Sequence, residues 1–508
     1  PPAGSSGRIG SINAGGVEYL ATHIANLRAQ NPNTVVVSAG DLIGASPLIS
    51  ALFHDEPTIE AFNLIGLDYN AVGNHEFDEG AAELLRMQNG GCHPTDGCLD
   101  GDGFAGADFQ FLAANVVNTS TGKTIFPPYA VENFRGTKVA FIGMTLEGTP
   151  TIVTPSGVAG LTFLDEADAA NALVKELKRR QVETIVVLLH EGGVQAGGDY
   201  NSCVGISGPI VDIVNRLDDS VDAVISGHTH NAYNCVIDGK LVTSAASFGR
   251  LVTKVDLTID RKSGDVVEMQ ADNKIVTRDV PKAALLTALV ERYGTLAAPI
   301  ANRIIGSITA DITRTNNPAG ESALGDVIAD SQLDATNDPG FGDAVIAFMN
   351  PGGIRADLTY ASSPLGEGDG KVTYNEIFTV QPFGNSLVTM SLTGAQIDTL
   401  LEQQFDNPAP GQSRILQVSN GFTYTWSQSA PTGNKVSNLM LNGVAIDPAA
   451  TYRVTVNSFL ADGGDNFVVL KEGTNRLGGA LDLDALEAYF VANSPVAPGP
   501  QNRITVVP

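Results

Sequence analysis

Positive charge is what this chain has least of. Lysine and arginine number 30 against 56 aspartate and glutamate, a formal charge of −26 over 508 residues. A nucleic-acid polymer is a poor partner for such a surface, because phosphate backbones demand clustered cations. A small anionic substrate remains compatible, provided that metal ions or a few placed arginines supply a local positive field. Long apolar runs are also missing: none approaches the roughly 20 residues of a membrane span. Histidine (seven) and cysteine (four) are scarce, so their clustering carries weight. No leader peptide is visible; the opening Pro1-Pro2-Ala3-Gly4 reads as the middle of something, so a missing leader says little about export.

What is present is globular. Apolar residues make up 43% and charged residues 17%, the balance of a folded protein. The length exceeds what one core supports, so two large domains are expected. Four cysteines permit three pairings. Cys92 and Cys98 flank a short run of turn formers, which favours Cys92–Cys98 with Cys203–Cys235 as disulfides in an oxidising compartment. A Cys/His zinc site using His93 is the rival reading, and its spacing fits no common zinc pattern.

The first half alternates helices with strands apolar on both faces. Val17, Leu20, Ala21, Ile24 and Leu27 line one face of a helix within Gly16–Gln30. Thr34–Ser38, Val139–Gly143, Thr184–Leu189 and Asp222–Ile225 read as buried strands, with a helix over Asp165–Arg180. That pattern argues for a layered α/β core. A helix near Pro281–Leu296 reads as a bridge, followed by mixed helices (Leu324–Ala335, Thr393–Phe405) and alternating strands such as Tyr452–Val456. Pro408–Gln412 and Ala361–Gly370 read as surface loops.

Strand ends in the first half carry candidate metal ligands. They are Asp41 after Gly40, Asn74 after Gly73, His190 at the end of its strand, and His228 and His230 after Gly227. Sites in α/β sheets gather beyond the carboxyl ends of strands. A bridging carboxylate, an amide oxygen and imidazoles suit zinc, manganese, cobalt or iron, and not calcium alone. The glycines are expected to let the chain turn sharply there. His23 reads as the polar side of a helix, and His54 and His93 as turn residues without a function.

Gly40-Asp41, Gly73-Asn74-His75-Glu76, His190-Glu191-Gly192 and Gly227-His228-Thr229-His230 resemble, in this order, the signatures of calcineurin-like metallophosphoesterases. Gly73–Asp78 is similar to the 5′-nucleotidase branch. So are Asn350-Pro351-Gly352-Gly353-Ile354-Arg355, Gln381–Asn385 and Phe459–Asp465. The resemblance implies an α/β fold: a layered β-sandwich flanked by helices over residues 1–276, a helical bridge over 277–311, and a second α+β substrate-binding domain over 312–508. It implies a secreted, periplasmic or cell-surface hydrolase of nucleotide phosphate esters holding two divalent metal ions. Asp41 would bridge them, Asn74, His190 and His228 would complete one site, and His230 would belong to the other. The family's opening Asp-x-His motif is not found before Asp41, so the expectation is that residues upstream of Pro1 carry it and that the first site is incomplete here.

By the same resemblance His75 faces the substrate and Asp78 orients its ring. Phe383 and Phe459 sandwich a nucleobase, Asn350 contacts the base, Asp465 takes the ribose hydroxyls, and Arg355 holds phosphate. Relatives close one domain on the other, with the 281–296 helix as candidate pivot. Three positions depart from the pattern: Gly320 precedes Glu321 where arginine is common, Asp326 stands where asparagine is usual, and Pro351 replaces a glycine. The alternatives are a 2′,3′-cyclic nucleotide phosphodiesterase with 3′-nucleotidase activity, a nucleotide-sugar hydrolase, a thiosulfate-ester hydrolase, and a non-catalytic nucleoside-binding surface protein.

Overall fold

The structure is a computed structural model that describes residues 7–361, 363 and 366–508. The opening Pro1–Gly4 lies outside the described residues, as do 362, 364 and 365 of the loop expected at 361–370. The chain forms two compact units, one running to Leu296 and the other spanning Ala297–Pro508, so their boundary falls inside the helix Ala284–Ala301. Among the described residues no helix is long and apolar enough to cross a membrane.

The first unit is built on a six-stranded sheet in the order Ala232–Ile237, Lys240–Ala245, Ala223–Ser226, Thr184–His190, Thr137–Thr145, Tyr129–Phe134. The inner strands run parallel, with Leu189 beside both Met144 and Ser226. Every residue of Thr184–His190 is buried, because both faces are covered. Ile185, Val187 and Leu189 join Ala170, Val174, Leu177 and Val214 of the helices Glu166–Arg179 and Pro209–Arg216. Val186 and Leu188 point the other way. They pack with Ala71 and Leu112 of a three-stranded sheet and Val255 and Leu257 of a two-stranded one. A helix layer and a second strand layer thus sandwich the main sheet.

The strand expected at Thr34–Ser38 shortens to Val37–Ser38. Its first half is held differently: Val36 N–H donates to Asp68 Oδ2 (2.7 Å), and the Val36 carbonyl accepts from Asp68 N (2.9 Å). Val37–Ser38 pairs in parallel with Tyr69–Ala71, which pairs in parallel with Gln110–Leu112. The strands ending at Ser38 and Ala71 therefore point the same way, as do those ending at His190 and Ser226. Disulfides join Cys92 to Cys98 and Cys203 to Cys235.

The second unit mixes a five-stranded and a four-stranded sheet with helices. In the larger sheet Ile346–Met349 runs parallel to Thr451–Asn457, which pairs antiparallel with Ser386–Thr393. Helices begin where side chains can cap them. Thr373 and Glu376, and again Thr393 and Gln396, form reciprocal capping boxes, and Ser322 Oγ accepts from Gly325 N. The strand Thr451–Asn457 ends directly in the short helix Ser458–Ala461, which carries Phe459.

Leu188 is fully buried between the main sheet and the second strand layer. Leu188→Ala should destabilise the first unit by about 2–5 kcal/mol, read as a lower urea midpoint for that unit's transition. An unchanged midpoint would contradict the sandwich.

Candidate metal centre

The four strand ends of the first unit deliver their polar residues to one place. Asp41, His190 and His228 each offer a ligand atom, all within 4.8 Å of one another. His190 Nδ1–H donates to the Ala39 carbonyl (2.6 Å), which aims Nε2 at Asp41 Oδ2, 2.9 Å away. That Nε2 is buried and makes no hydrogen bond. An imidazole nitrogen whose other N–H is fixed by a carbonyl is the usual posture of a metal ligand. Asn74 is buried and places Oδ1 3.0 Å from His228 Nδ1. Burial and the neighbouring His190 push the His228 imidazole down to about 3, so it stays neutral, the form that coordinates metal. Burial opposes ionisation of Asp41, but His190, His75 and His228 outweigh it and hold its carboxyl far below the usual range. The donor set fits a divalent transition metal.

Three glycines make this convergence possible, though not all by turning. Gly40 has φ +95°, a left-handed conformation. Gly73 and Gly227 do not; close approach excludes a side chain at Gly73 and leaves little room for one at Gly227. A Cβ on Gly73 would lie 2.2 Å from Asp41 Oδ1, and one on Gly227 would lie 3.1 Å from His190 Nδ1. Asp41 and His228 themselves adopt positive φ (57° and 64°), non-glycine strain of the kind found at functional sites.

His75 approaches Asp41 through its backbone, N–H to Oδ1 at 3.0 Å. Its ring turns to Asp78, with Nδ1 2.8 Å from Oδ2. His230 is exposed and stands edge-on to Phe248, with centroids 5.5 Å apart; it is not part of the Asp41–His190–His228 group.

Glu76 belongs to the quoted motif, but the sequence reading gives it no role. It is buried, and each oxygen takes two donors: Oε2 accepts from Asp41 N (2.9 Å) and Gly73 N (2.6 Å), and Oε1 from Leu42 N (2.9 Å) and Asn70 Nδ2 (3.2 Å). Burial and the charge of Asp41 raise its pKa to about 7, against the pull of His190 and of those backbone donors.

In the second unit Asn350 and Asp465 form a buried pair, Nδ2–H to Oδ2 at 3.0 Å. Asn457 Nδ2 donates to the Asn350 oxygen (3.0 Å), and Arg414 binds Asp465 Oδ1 (2.7 Å). Burial pushes the Asp465 carboxyl up, opposed by Arg414, Asn350 and Arg355. Arg414 is a residue that sequence reasoning missed; it stands 51 positions from its partner. The Arg355 guanidinium lies 5.4 Å over the Phe383 ring. Phe459 packs so tightly on Gly464 that a Cβ there would touch the ring at 2.5 Å. Both phenylalanines are half-buried. Asp326 is buried with Arg503 Nε at 3.8 Å, and burial raises its pKa to about 8 against the pull of Arg503.

Glu76→Gln tests the scaffold. Both oxygens accept two donors, so an amide NH2 at either position leaves donors unmet. Metal affinity should fall roughly 10–100-fold, as for other outer partners of metal sites, in a titration of the folded variant; unaltered affinity would remove Glu76 from the site.

The family model for calcineurin-like phosphoesterases matches residues 12–232, and that for the 5′-nucleotidase C-terminal domain matches residues 301–472. The chain is 34% identical to Endonuclease YhcR of Bacillus subtilis over 494 residues, covering 96% of this chain and 38% of that protein. It is 33% identical to Cell wall protein Lmo0130 of Listeria monocytogenes, covering 92% of this chain and 62% of the other. The chain thus spans less than two thirds of either relative. The crystal structure of a 5′-nucleotidase precursor from Thermus thermophilus superposes with a TM-score of 0.80 at 28% identity, covering 100% of this chain and 96% of that one. With both family models matched in order, the chain belongs to the 5′-nucleotidase family of calcineurin-like metallophosphoesterases.

Proposed function

We propose that this chain hydrolyses the phosphate ester of nucleotides, releasing nucleoside and phosphate. The observation that carries the reading is the His75–Asp78 pair beside the Asp41–His190–His228 cluster. Asp41, Asn74, His190 and His228 are assigned to hold one divalent ion, with Asp41 and His230 contributing to a second. Zinc, manganese, cobalt and iron all suit these donors. Such ions, when bound, neutralise phosphoryl charge and acidify water. His75 does its work through a proton. Asp78 engages Nδ1, so Nε2 is the atom assigned to the phosphoryl group or leaving oxygen. The carboxylate fixes the tautomer and steadies the imidazolium, as in other carboxylate–histidine pairs.

Residues 1–276 are the proposed catalytic domain, 277–311 the bridge and 312–508 the substrate-binding domain. Phe383 and Phe459 are assigned to stack on the base, a contact tolerant of base identity. Asn350 is assigned to the base, Asp465 to the ribose hydroxyls and Arg355 to phosphate. Arg414, on the far oxygen of Asp465, holds that carboxylate in place. These arginines supply positive charge that the composition withholds elsewhere. The two disulfides suit a secreted, periplasmic or cell-surface enzyme.

His75→Ala should lower turnover of AMP by roughly 10²–10⁴-fold and leave metal content unchanged. Metal loss in that variant would assign His75 to the ligand set instead. With the wild type, AMP should be cleaved in preference to 2′,3′-cyclic AMP and UDP-glucose, and a chelator should abolish turnover until a divalent metal is restored. Preference for the cyclic nucleotide or the nucleotide sugar would replace the 5′-nucleotidase reading.

A further inference from the structure

Arg414 is tied to Asp465 by a single bond and has donors to spare. Nη1–H meets Oδ1 at 2.7 Å, with the two side chains 22% and 9% exposed. Among the described residues that is the one hydrogen bond the guanidinium makes. A guanidinium carries a fork of N–H donors and no acceptor, so most of its donors are uncommitted.

The loop that delivers Arg414 is pinned at both ends. Phe405 and Ser413 form a β-bridge, Asn407 N donates to the Gln412 carbonyl (3.2 Å), and Arg414 N donates to the Gln404 carbonyl (2.9 Å). From the same loop Asn407 Nδ2 donates to the Asp465 carbonyl (2.7 Å). Asp465 is thus gripped at backbone and side chain. Its left-handed conformation (φ 54°) is one that a non-glycine residue keeps only where its surroundings impose it. Ile415, next to Arg414, packs on Gly320, where a Cβ would lie 2.5 Å from the Ile415 side chain. The position before Glu321 is thereby closed to a side chain, and the cation comes from the 405–414 loop instead.

The two members of the pair have opposite hydrogen-bonding sense. Asp465 Oδ1 and Oδ2 each accept one donor, from Arg414 and Asn350, and each oxygen keeps a lone pair for another. A hydroxyl is both donor and acceptor. Seated at the pair, it can give its proton to Asp465 and take an N–H from Arg414, which neither residue offers alone. A phosphate there would face the Asp465 carboxylate, so the pair suits neutral diol oxygens.

We propose that Arg414 contacts the substrate itself: with Asp465 it reads a ribose hydroxyl as donor and acceptor together, and so selects ribonucleosides over their deoxy counterparts. The inference rests on the assignment of Asp465 to the ribose hydroxyls.

Calorimetric binding of adenosine, 2′-deoxyadenosine and 3′-deoxyadenosine tests it without turnover. Wild type should bind adenosine roughly 10–100-fold more tightly than at least one deoxy analogue, the range for losing a hydrogen bond to a charged group. Arg414→Ala should lower adenosine affinity by a similar factor and leave that analogue's nearly unchanged. Support of Asp465 alone would give the same pattern, so the deciding variant is Asp465→Gly, which keeps the left-handed backbone without strain. It should retain part of the preference for adenosine, and Arg414→Ala added to it should remove the rest. No preference in Asp465→Gly that is folded by circular dichroism, or none in wild type, would overturn the proposal. A wild type that shows the binding pattern but does not hydrolyse AMP would overturn the nucleotidase reading and leave this one intact.

Discussion

The carboxylate of Glu76 ties together the loops that follow the paired strands Val37–Ser38 and Tyr69–Ala71. Its oxygens take backbone donors from Asp41, Leu42 and Gly73 and the side chain of Asn70. Without it, all four donors would be unmet, and the buried ones on Gly73 and Asn70 would each cost about 1–3 kcal/mol. With it, the peptide of Asp41 is fixed, and so is the direction of the carboxylate that His190 faces. The position of His75 follows, because its backbone N–H rests on the same Asp41 side chain. One buried acid thus fixes Asp41 and, through it, His75.

The second unit repeats the device with different parts. Asp465 is buried and divided between Asn350 and Arg414, while Asn350 is held from its other side by Asn457. Burial of a charge is tolerated only when such partners are supplied. The chain's acidity is therefore not uniform in meaning. Most carboxylates keep the surface soluble, whereas a handful are buried, partnered and used to orient neighbours.

Strands covered on both faces announce themselves by composition, which is why Thr184–Leu189 and its neighbours can be read directly and why the polar residues at their ends stand out as candidates. The expected Thr34–Ser38 strand ran long because nothing local reveals that the Asp68 side chain would claim the backbone of Val36. Glu76 was legible as a letter in a motif and not as a keystone, since burial of an acid is a tertiary fact. Arg414 was hidden by separation along the chain. Gly73 and Gly227 were taken for turn formers; the space they leave for Asp41 and His190 is visible only once the loops are assembled.

The Cys203–Cys235 bridge encloses the Ala223–Ser226 strand together with His228 and His230. Closing a segment of 32 positions restricts the unfolded chain by roughly 3–4 kcal/mol. With both thiols reduced, the main sheet, whose edge strand Ala232–Ile237 carries Cys235, would have to assemble without that restriction. It would do so around histidines on a slacker tether. Faithful maturation of this protein is thereby coupled to the chemistry of the space in which it folds.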